Sequence, residues 1–269
     1  MSAVQVIQCD ACGGSVVYDA SAHAARCLFC GSVSLHADDG GEAMLEPHGM
    51  LPFDVTRKAA DEQFRRWARS SWWHVESLRR MSIQLEPLQL PIWRFDATLE
   101  THWAGLVGAD TRSGSKPRAG VEHAELSTVV TASMGMRDEE LAALQPFAEG
   151  ASTRFDRSLP HEVPALSERA ASLVARKQLL ADHRRRIMRA RDLQRCRCSA
   201  VVRVREARLL MVPIFIGSFR YRDRPWRFVV NGQTGSVTGK APLDRRKIAM
   251  VIMVILAACV ALAWWRGWL

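Results

Sequence analysis

Four cysteines near the start of the chain form the clearest chemical pattern in the sequence. Cys9 and Cys12 belong to one CxxCG motif, Cys27 and Cys30 belong to a second, and fourteen residues lie between Cys12 and Cys27. A CxxC turn directs two thiolates toward one point, and the glycine after it tolerates the left-handed backbone that such a turn requires. Two turns supply four sulfur ligands, which form the closed tetrahedral shell typical of a structural Zn²⁺ site.

The alternative for these motifs is a thioredoxin-like redox pair. Two matched motifs without a βαβ pattern around them favour a metal over redox chemistry. We therefore predict a zinc ribbon over residues 1–36, with a short hairpin between the motifs and a structural metal ion. A metal-dependent unit of this kind is expected to unfold locally on chelation, while the rest of the chain stays folded.

The catalytic motifs that parts of this sequence resemble are incomplete. Residues 232–240 resemble a phosphate-binding loop, but Thr234 stands where that motif needs glycine and Ala241 follows the lysine. His161 and Glu162 do not continue into an HExxH motif, and no GxSxG nucleophile motif occurs. We expect a protein that is not an enzyme, with an unrecognised catalytic site as the weaker alternative.

A second thiol pair, Cys196 and Cys198, has one residue between its members. On a strand these side chains would share one face and could form a soft-metal site. The sequence offers no obvious third ligand, because its eight histidines are scattered. Free thiols are therefore the prediction for this pair.

A long apolar run lies near the C-terminal end of the sequence. Residues 248–265 read IAMVIMVILAACVALAWW, which is eighteen residues without a charge. As a helix this run spans about 27 Å, close to the thickness of the hydrocarbon core of a bilayer. We predict one transmembrane helix, and the alternative is a helix buried in the core of the protein.

The residues that flank this run fit a membrane span. The basic residues before it are Arg245, Arg246 and Lys247, and the tryptophans at its far end are Trp264, Trp265 and Trp268. An excess of positive charge on the upstream side predicts that this side faces the cytoplasm, and indoles favour the headgroup layer. We expect a single-pass, tail-anchored protein of the bacterial inner membrane, without a secretory signal peptide and with its thiols reduced.

The composition is sufficient for a folded body between these two ends. Of the 269 residues, 48% are hydrophobic and 24% are charged, which excludes wholesale disorder. We predict an α+β fold with a linker at 37–48 and a body at 49–244. The predicted elements are a helix after Thr56, strands within 88–105 and 126–133 around a loop at 108–120, a helix at 137–144, a helix from about Ser167, a strand at 201–210, and a hairpin of 214–221 with 226–231 that leads to a short strand.

Two pairs of similar short segments predict that the body is a pseudo-repeat. The segment Leu51–Val55 (LPFDV) is similar to Leu159–Val163 (LPHEV), and Pro91-Ile-Trp is similar to Pro213-Ile-Phe. Each member of a pair belongs to a helix followed by an antiparallel sheet, so the predicted repeats are 49–146 and 157–242.

Positive charge is concentrated in one helical segment. Residues 165–208 contain thirteen Lys or Arg against four Asp or Glu, and this excess of nine equals the net charge of the whole chain. The densest part of the segment consists of Arg184, Arg185, Arg186, Arg189 and Arg191. These side chains are predicted to contact anionic lipid or nucleic acid, with lipid favoured by the membrane helix. The alternative is a solvated helix face whose arginines pair with acids elsewhere in the fold.

The apolar residues of the same segment have heptad spacing and are expected to face the core; they are Leu166, Leu173, Leu180 and Ile187.

Taken together, these motifs resemble a family of bacterial membrane proteins described as TFIIB-type zinc-ribbon proteins, some of them labelled primosomal protein N′ or helicase-like. The resemblance rests on the CxxCG pair, the Pro-Ile-Trp segment, the stretch from Ala132 to Phe147, and VPIF…YRDRPWRFVVNGQTGSVTGKAP. It implies zinc on the four cysteines and a membrane module that works beside SPFH-type or phage-shock-type scaffolds, with no catalytic residues. The chain departs from the family at Gln194-Arg-Cys-Arg-Cys-Ser, where members carry a longer Gly-Asp-Thr-His-like stretch.

The favoured hypothesis is a non-enzymatic, membrane-tethered zinc-ribbon adaptor. Such a protein would recruit or organise a cytoplasmic protein partner at the membrane. The alternative is a membrane-bound nucleic-acid-binding protein that uses the ribbon and the arginine-rich helix.

Overall fold

The described part of the chain folds around a ten-stranded sheet with helices packed on it, so the protein is of mixed α and β type. This computed structural model describes residues 4–19, 26–38, 45–81, 83–107, 115–222 and 224–266. The strands are β1 (Val4–Cys9), β2 (Ser15–Asp19), β3 (Leu35–Asp38), β4 (Gly49–Met50), β5 (Glu86–Val107), β6 (Lys116–Thr131), β7 (His161–Glu162), β8 (Leu193–Tyr221), β9 (Arg224–Asn231) and β10 (Val237–Gly239). The helices are α1 (Arg57–Arg69), α2 (Glu76–Arg80), α3 (Asp138–Leu144), α4 (Glu168–Ala190) and α5 (Arg245–Trp265).

Two long antiparallel strands, β5 and β8, form the centre of the sheet. They pair from Glu86 opposite Ile216 to Val107 opposite Leu193. β6 extends the sheet from β5, while β9 and β10 extend it from β8. The predicted hairpin of 214–221 with 226–231 is confirmed, because β8 and β9 pair up to Tyr221 opposite Arg224.

The predicted loop at 108–120 is too long. β6 already begins at Lys116, which pairs with Val107 at the end of β5. The extended partner strand therefore overrides the weak strand preference of this polar, glycine-containing stretch. Residues 108–114 lie outside the described part of the chain.

The predicted strands at 201–210 and 214–221 are a single strand, β8. Pro213 does not divide it, because this residue lies between Met211, which pairs with β4, and Ile214, which pairs with β9. The missing N–H of the proline thus falls where that edge of β8 changes partner.

The cysteine-bearing strands belong to the same sheet as the body. β1 pairs with β2 and β3, and the two-residue strand β7 joins β2 to β5. Cys9, Cys27 and Phe29 accordingly lie in the same hydrophobic cluster as Leu88 and Ile214 of the central strands. β3 continues through Asp38, beyond residue 36, and residues 39–44 lie outside the described part of the chain.

The predicted starts of two helices are confirmed by their capping bonds. The Ala59 N–H donates to Thr56 Oγ1 at 3.2 Å before α1, and the Ala170 N–H donates to Ser167 Oγ at 3.4 Å before α4. Such caps satisfy backbone donors that the first helical turn leaves free. The short helix predicted at 137–144 is α3.

The heptad spacing matches only part of the buried face of α4, since Ile187 is buried and Leu166 packs against the cluster of Trp93 and Phe95. The buried residues follow a four-residue spacing through Ala171, Ala175, Leu179, His183 and Ile187, whereas Leu173 of the predicted heptad is 61% exposed. A straight helix of 3.6 residues per turn that crosses a sheet shifts its contact stripe away from a strict seven-residue repeat. The two alanines let the helix approach Trp93 and Phe95 closely.

The order of elements is the same in the two halves of the body. β4-α1-β5-β6 is followed by β7-α4-β8-β9, with further short helices between. β4 pairs in parallel with β8, and β7 pairs in parallel with β5. In the central ladder Leu90 lies opposite Val212, so Pro91 faces Met211 as Pro213 faces Gln89.

Candidate functional site

The structure brings the four predicted cysteines together at the N-terminal end of the sheet. Their Sγ atoms all lie within 4.8 Å of one another. The Cys9 and Cys30 sulfurs are 3.6 Å apart, and so are those of Cys12 and Cys27. Four sulfurs at about 2.3 Å from a shared Zn²⁺ would be about 3.8 Å apart, so the cluster could bind a metal ion.

Both CxxC turns have the backbone that the sequence predicts. The Gly13 N–H donates to the Cys9 carbonyl at 2.8 Å, and the Gly31 N–H donates to the Cys27 carbonyl at 2.9 Å. The φ angles of these glycines are +75° and +72°, in the left-handed region. This conformation costs an L residue about 1–2 kcal/mol, which is why glycine follows each motif.

The protonation of the thiols depends on burial and on nearby donors. Burial raises the pKa of Cys12 to about 11 and raises the pKa of Cys27 still further. Burial acts in the same direction on Cys9, but the backbone N–H groups of the turn and the neighbouring thiols lower its pKa overall. A bound cation would stabilise all four thiolates.

The second CxxC turn is held against the body by one arginine. Arg227 on β9 donates from Nη1 to the Phe29 carbonyl at 3.2 Å and to the Gly135 carbonyl at 2.5 Å, and from Nη2 to Glu140 Oε2 at 2.6 Å. Burial acts to raise the pKa of Glu140, but Arg227 holds it below its usual range. Sequence reasoning missed this arginine, because the residues around Arg227 form no motif that indicates a contact with Phe29, 198 residues earlier in the chain.

A buried carboxyl group lies on β7, the short strand that pairs with β2 of the cysteine-bearing strands. Glu162 on β7 is fully buried, and its Oε1 accepts a 3.2 Å hydrogen bond from the Gly135 N–H. Its Oε2 has no hydrogen-bond partner among the described residues. Burial raises the pKa of this carboxyl to about 7. The neighbouring His161 is also buried, which lowers its pKa, and its Nδ1 lies 2.7 Å from the Leu159 carbonyl oxygen.

The helix α5 is long and apolar enough to cross a membrane. Its most apolar eighteen-residue window has a mean hydropathy of 2.6, and none of that window is buried against the rest of the protein. Trp264 and Trp265 are largely exposed at its far end, and Trp268 lies outside the described residues.

The helix α5 begins three residues before the apolar run at 248–265. Asp244 caps the helix through its Oδ1, which accepts from the Arg246 N–H at 3.0 Å. Arg245, Arg246 and Lys247 therefore form its first turn, directly before the apolar run. This cap explains why the helix begins before the apolar run, because the side chain of Asp244 satisfies a backbone donor of the first turn.

The five predicted arginines are exposed along the last turns of α4, and their partners differ. Arg191 pairs with Glu122 at 2.9 Å and lies 5.8 Å from the centre of the Trp103 ring. Arg185 pairs with Asp182. Within the described part of the chain, Arg184, Arg186 and Arg189 form no ion pair. Two of the five arginines are thus paired within the fold, and the other three have no ion-pair partner among the described residues.

More arginines surround Arg184 at the same end of the sheet. A cavity of about 690 Å³ there is lined by Arg184, Arg118, Arg195 and Arg197, together with Gly105 and Leu106 near the end of β5. Of the three arginines without an ion pair, Arg184 lines this cavity, while Arg186 and Arg189 are exposed nearby along α4. We call Arg184, Arg186, Arg189 and the three further arginines the arginine end. Sequence reasoning missed Arg118, which only the pairing of β6 with β5 brings beside α4.

Cys196 and Cys198 share one face of β8, as their spacing predicts. Their Sγ atoms are 3.2 Å apart, and both are free thiols. Burial raises the pKa of Cys198 to about 11. Across the described residues, only the four N-terminal cysteines form a group of three or more potential metal ligands.

The arginine end and α5 lie toward opposite ends of the central strands. The arginine end adjoins Leu106 of β5. α5 begins beside the turn that links α1 to α2, and these helices pack near the Glu86 end of β5. The twenty residue steps from Glu86 to Leu106 correspond to about 65 Å along the strand.

Comparison with protein-family models, with curated proteins and with solved structures found no match to this chain. The resemblance to TFIIB-type zinc-ribbon membrane proteins therefore stays a prediction, and the function has to be argued from the site itself.

Proposed function

We propose that this chain is a non-enzymatic, membrane-tethered zinc-ribbon adaptor that recruits or organises a cytoplasmic protein partner at the membrane. The observation that carries the proposal is the placement of α5 and the arginine end at opposite ends of the central strands. One end holds the protein at a bilayer, and the other presents unpaired positive charge away from it.

The metal in this proposal is Zn²⁺, bound by Cys9, Cys12, Cys27 and Cys30. Four thiolates match the preference of Zn²⁺ and leave no open coordination position, so the ion would be structural. It would stabilise the ribbon against the body, because the cysteines are part of the shared core. Arg227 and the segment around Gly135 orient the second turn.

The membrane in this proposal is the bacterial inner membrane, crossed once by α5. The exposed apolar surface of α5 needs a cover, and a bilayer supplies one along the whole helix. The basic first turn favours the cytoplasmic side for the body. Trp264 and Trp265 would reach the opposite headgroup layer.

The partner in this proposal is an acidic face of a cytoplasmic protein. Lipid was the favoured partner of the arginines from sequence alone, but the length of about 65 Å along β5 between α5 and the arginine end favours a partner in solution over the bilayer that holds α5. By the family resemblance, SPFH-type or phage-shock-type scaffolds are the first proteins to test.

The pseudo-repeat predicted at 49–146 and 157–242 is also part of the proposal. The two halves share their order of elements, and each contributes a short strand that pairs in parallel with the long strand of the other. In this proposal an approximate twofold axis at the paired position of Leu90 and Val212 would relate the two Pro-Ile-aromatic segments.

Nucleic-acid binding is the second candidate function. The observation that favours it is the arginine end itself, where unpaired guanidinium groups line an open cavity. A phosphate backbone would be recognised by the same charges, and its binding would weaken steeply with salt.

One purification separates these two functions. The full-length protein is captured in mild detergent, with and without nuclease, beside an R184E/R186E/R189E variant and an R154E/R169E/K177E control of equal charge change. The adaptor proposal predicts a defined protein partner that survives nuclease, is lost from the first variant and is retained by the control. Recovery of nucleic acid, with partners lost on nuclease treatment, would overturn the adaptor proposal in favour of the second candidate.

A further inference from the structure

Two adjacent tryptophans lie exposed where the body meets α5. Trp72 and Trp73, in the turn between α1 and α2, are 50% and 39% exposed, and their rings make an edge contact with centres 5.1 Å apart. Two neighbouring indoles in water are an uncommon arrangement for a surface turn, because they leave a large apolar area uncovered.

The turn that carries them is held in place by hydrogen bonds. The Trp73 N–H donates to Ser71 Oγ at 3.3 Å, and Arg79 Nη2 donates to the Ser71 carbonyl at 3.0 Å. His74 Nδ1 lies 3.0 Å from the Ala68 carbonyl oxygen. The exposure of the indoles is therefore a property of a fixed turn.

The same turn is bonded directly to the start of α5. The Asp244 N–H donates to the Trp73 carbonyl at 2.8 Å, and Lys247 Nζ donates to the Trp72 carbonyl at 2.8 Å. Lys247 also lies 5.1 Å from the centre of the Trp72 ring. These contacts place the indoles level with Lys247, which immediately precedes the apolar run of α5.

We propose that Trp72 and Trp73 form a second membrane contact, with their indoles inserted into the headgroup layer of the leaflet through which α5 enters. This inference rests on the proposed membrane span of α5. If that span begins at Ile248, Lys247 lies at the boundary of the hydrocarbon core, and side chains beside it lie in the interfacial layer.

The surroundings of the two indoles match a lipid surface. Indoles favour the interface because one part of the ring is apolar and its N–H can reach water or a headgroup. The exposed Leu243 beside them adds apolar surface, and Arg69, Arg245 and Arg246 add positive charge that anionic headgroups attract. With α5 and this turn both in the membrane, the body is fixed in orientation instead of swinging on a single tether.

The experiment uses the full-length chain labelled with 5-fluorotryptophan, in nanodiscs of phosphatidylcholine and phosphatidylglycerol. The ¹⁹F signals are assigned with Trp72→Phe, Trp73→Phe, Trp93→Phe and Trp264→Phe. Broadening is measured with a nitroxide lipid labelled near the headgroup and, separately, with a water-soluble gadolinium chelate. Trp93 is the internal control, because it is 3% exposed in the body, and its unchanged shift verifies the fold of the other variants.

The expected result is that the nitroxide lipid broadens Trp72, Trp73 and Trp264 severalfold more than Trp93. If Trp264 is broadened by the lipid, but Trp72 and Trp73 respond only to the chelate, the inference is overturned and the span of α5 stands. If none of the three responds to the lipid, both the span and the inference are overturned.

Discussion

The carbonyl oxygen of Phe29 accepts a 3.2 Å hydrogen bond from the guanidinium of Arg227, which lies 198 residues later in the chain. Phe29 stands inside the second CxxC turn, and its ring packs against Gly14 and Gly135. The cysteine cluster is therefore positioned by the last hairpin of the body as well as by its own strands.

This contact predicts that Arg227→Lys weakens metal binding by about tenfold, because a lysine keeps the charge beside Glu140 but cannot also reach both carbonyls. The measurement is competition for Zn²⁺ between the full-length protein in detergent and a chromophoric chelator. Arg224→Lys on the same strand is the control and should leave the affinity unchanged. An unaltered affinity in Arg227→Lys would show that the turn is positioned without this arginine.

The positive φ angles of the glycines after the CxxC motifs predict that any side chain at these positions lowers the stability of the metal-bound ribbon. Gly31→Ala should destabilise the metal-bound ribbon by about 1–2 kcal/mol, because alanine is strained at a φ of +72°. The same competition assay would read this as a loss of about tenfold in affinity. Gly150→Ala is the matched control, since a Cβ there meets nothing within 4 Å. Equal affinities for the two variants would contradict the backbone argument.

The raised pKa of Glu162 predicts that the free energy of unfolding depends on pH. Its folded pKa of about 7 is above the ordinary value of 4.5, so its contribution to stability is present below about pH 4.5 and is lost as the pH rises toward 7. The difference amounts to about 3 kcal/mol. Glu162→Gln should remove this dependence.

The measurement is urea unfolding of the full-length protein in detergent between pH 5 and 8, followed by near-ultraviolet circular dichroism. Burial lowers the pKa of His161 and of His183, and these groups act with the opposite sign, because the unfolded state takes up protons near pH 6.5. The prediction therefore concerns the difference between the wild type and Glu162→Gln. A difference that does not change with pH would count against a carboxyl that titrates near neutrality.

Metal removal should loosen more than the ribbon. From the sequence, chelation is expected to unfold residues 1–36 alone, but β7 joins β2 to β5, and Gly135 is bonded to Glu162. We expect hydrogen exchange to rise in residues 132–136 and 161–163 as well when the full-length protein is treated with a zinc chelator. The far part of β5, from Leu99 onward, is the internal control. Exchange that rises only within residues 1–36 would favour an independent ribbon.

The features that could be predicted from sequence are those that depend on neighbouring residues. The cysteine turns, the glycines after them and the caps at Thr56 and Ser167 each follow from a local pattern. The apolar run of α5 was equally clear from its length and composition.

The features that sequence missed depend on which elements meet in the fold. The contact of Arg227 with Phe29 and the burial of Glu162 exist only because β7 and β9 approach the ribbon. The register of α4 on the sheet was only partly predicted for the same reason, since Ala171 and Ala175 pack with Trp93 and Phe95 whereas the heptad residue Leu173 is exposed. The inference for Trp72 and Trp73 likewise depends on the hydrogen bonds that place their turn beside the start of α5.

The most direct test of the adaptor account is the amount of partner protein in the membrane fraction of cells that carry the full-length chain. The account predicts that recruitment is lost with R184E/R186E/R189E, which alters the arginine end, and with V254R/L256R, which makes α5 too polar for a bilayer. It should persist with the control R154E/R169E/K177E. A partner that stays at the membrane in both altered chains would contradict the account.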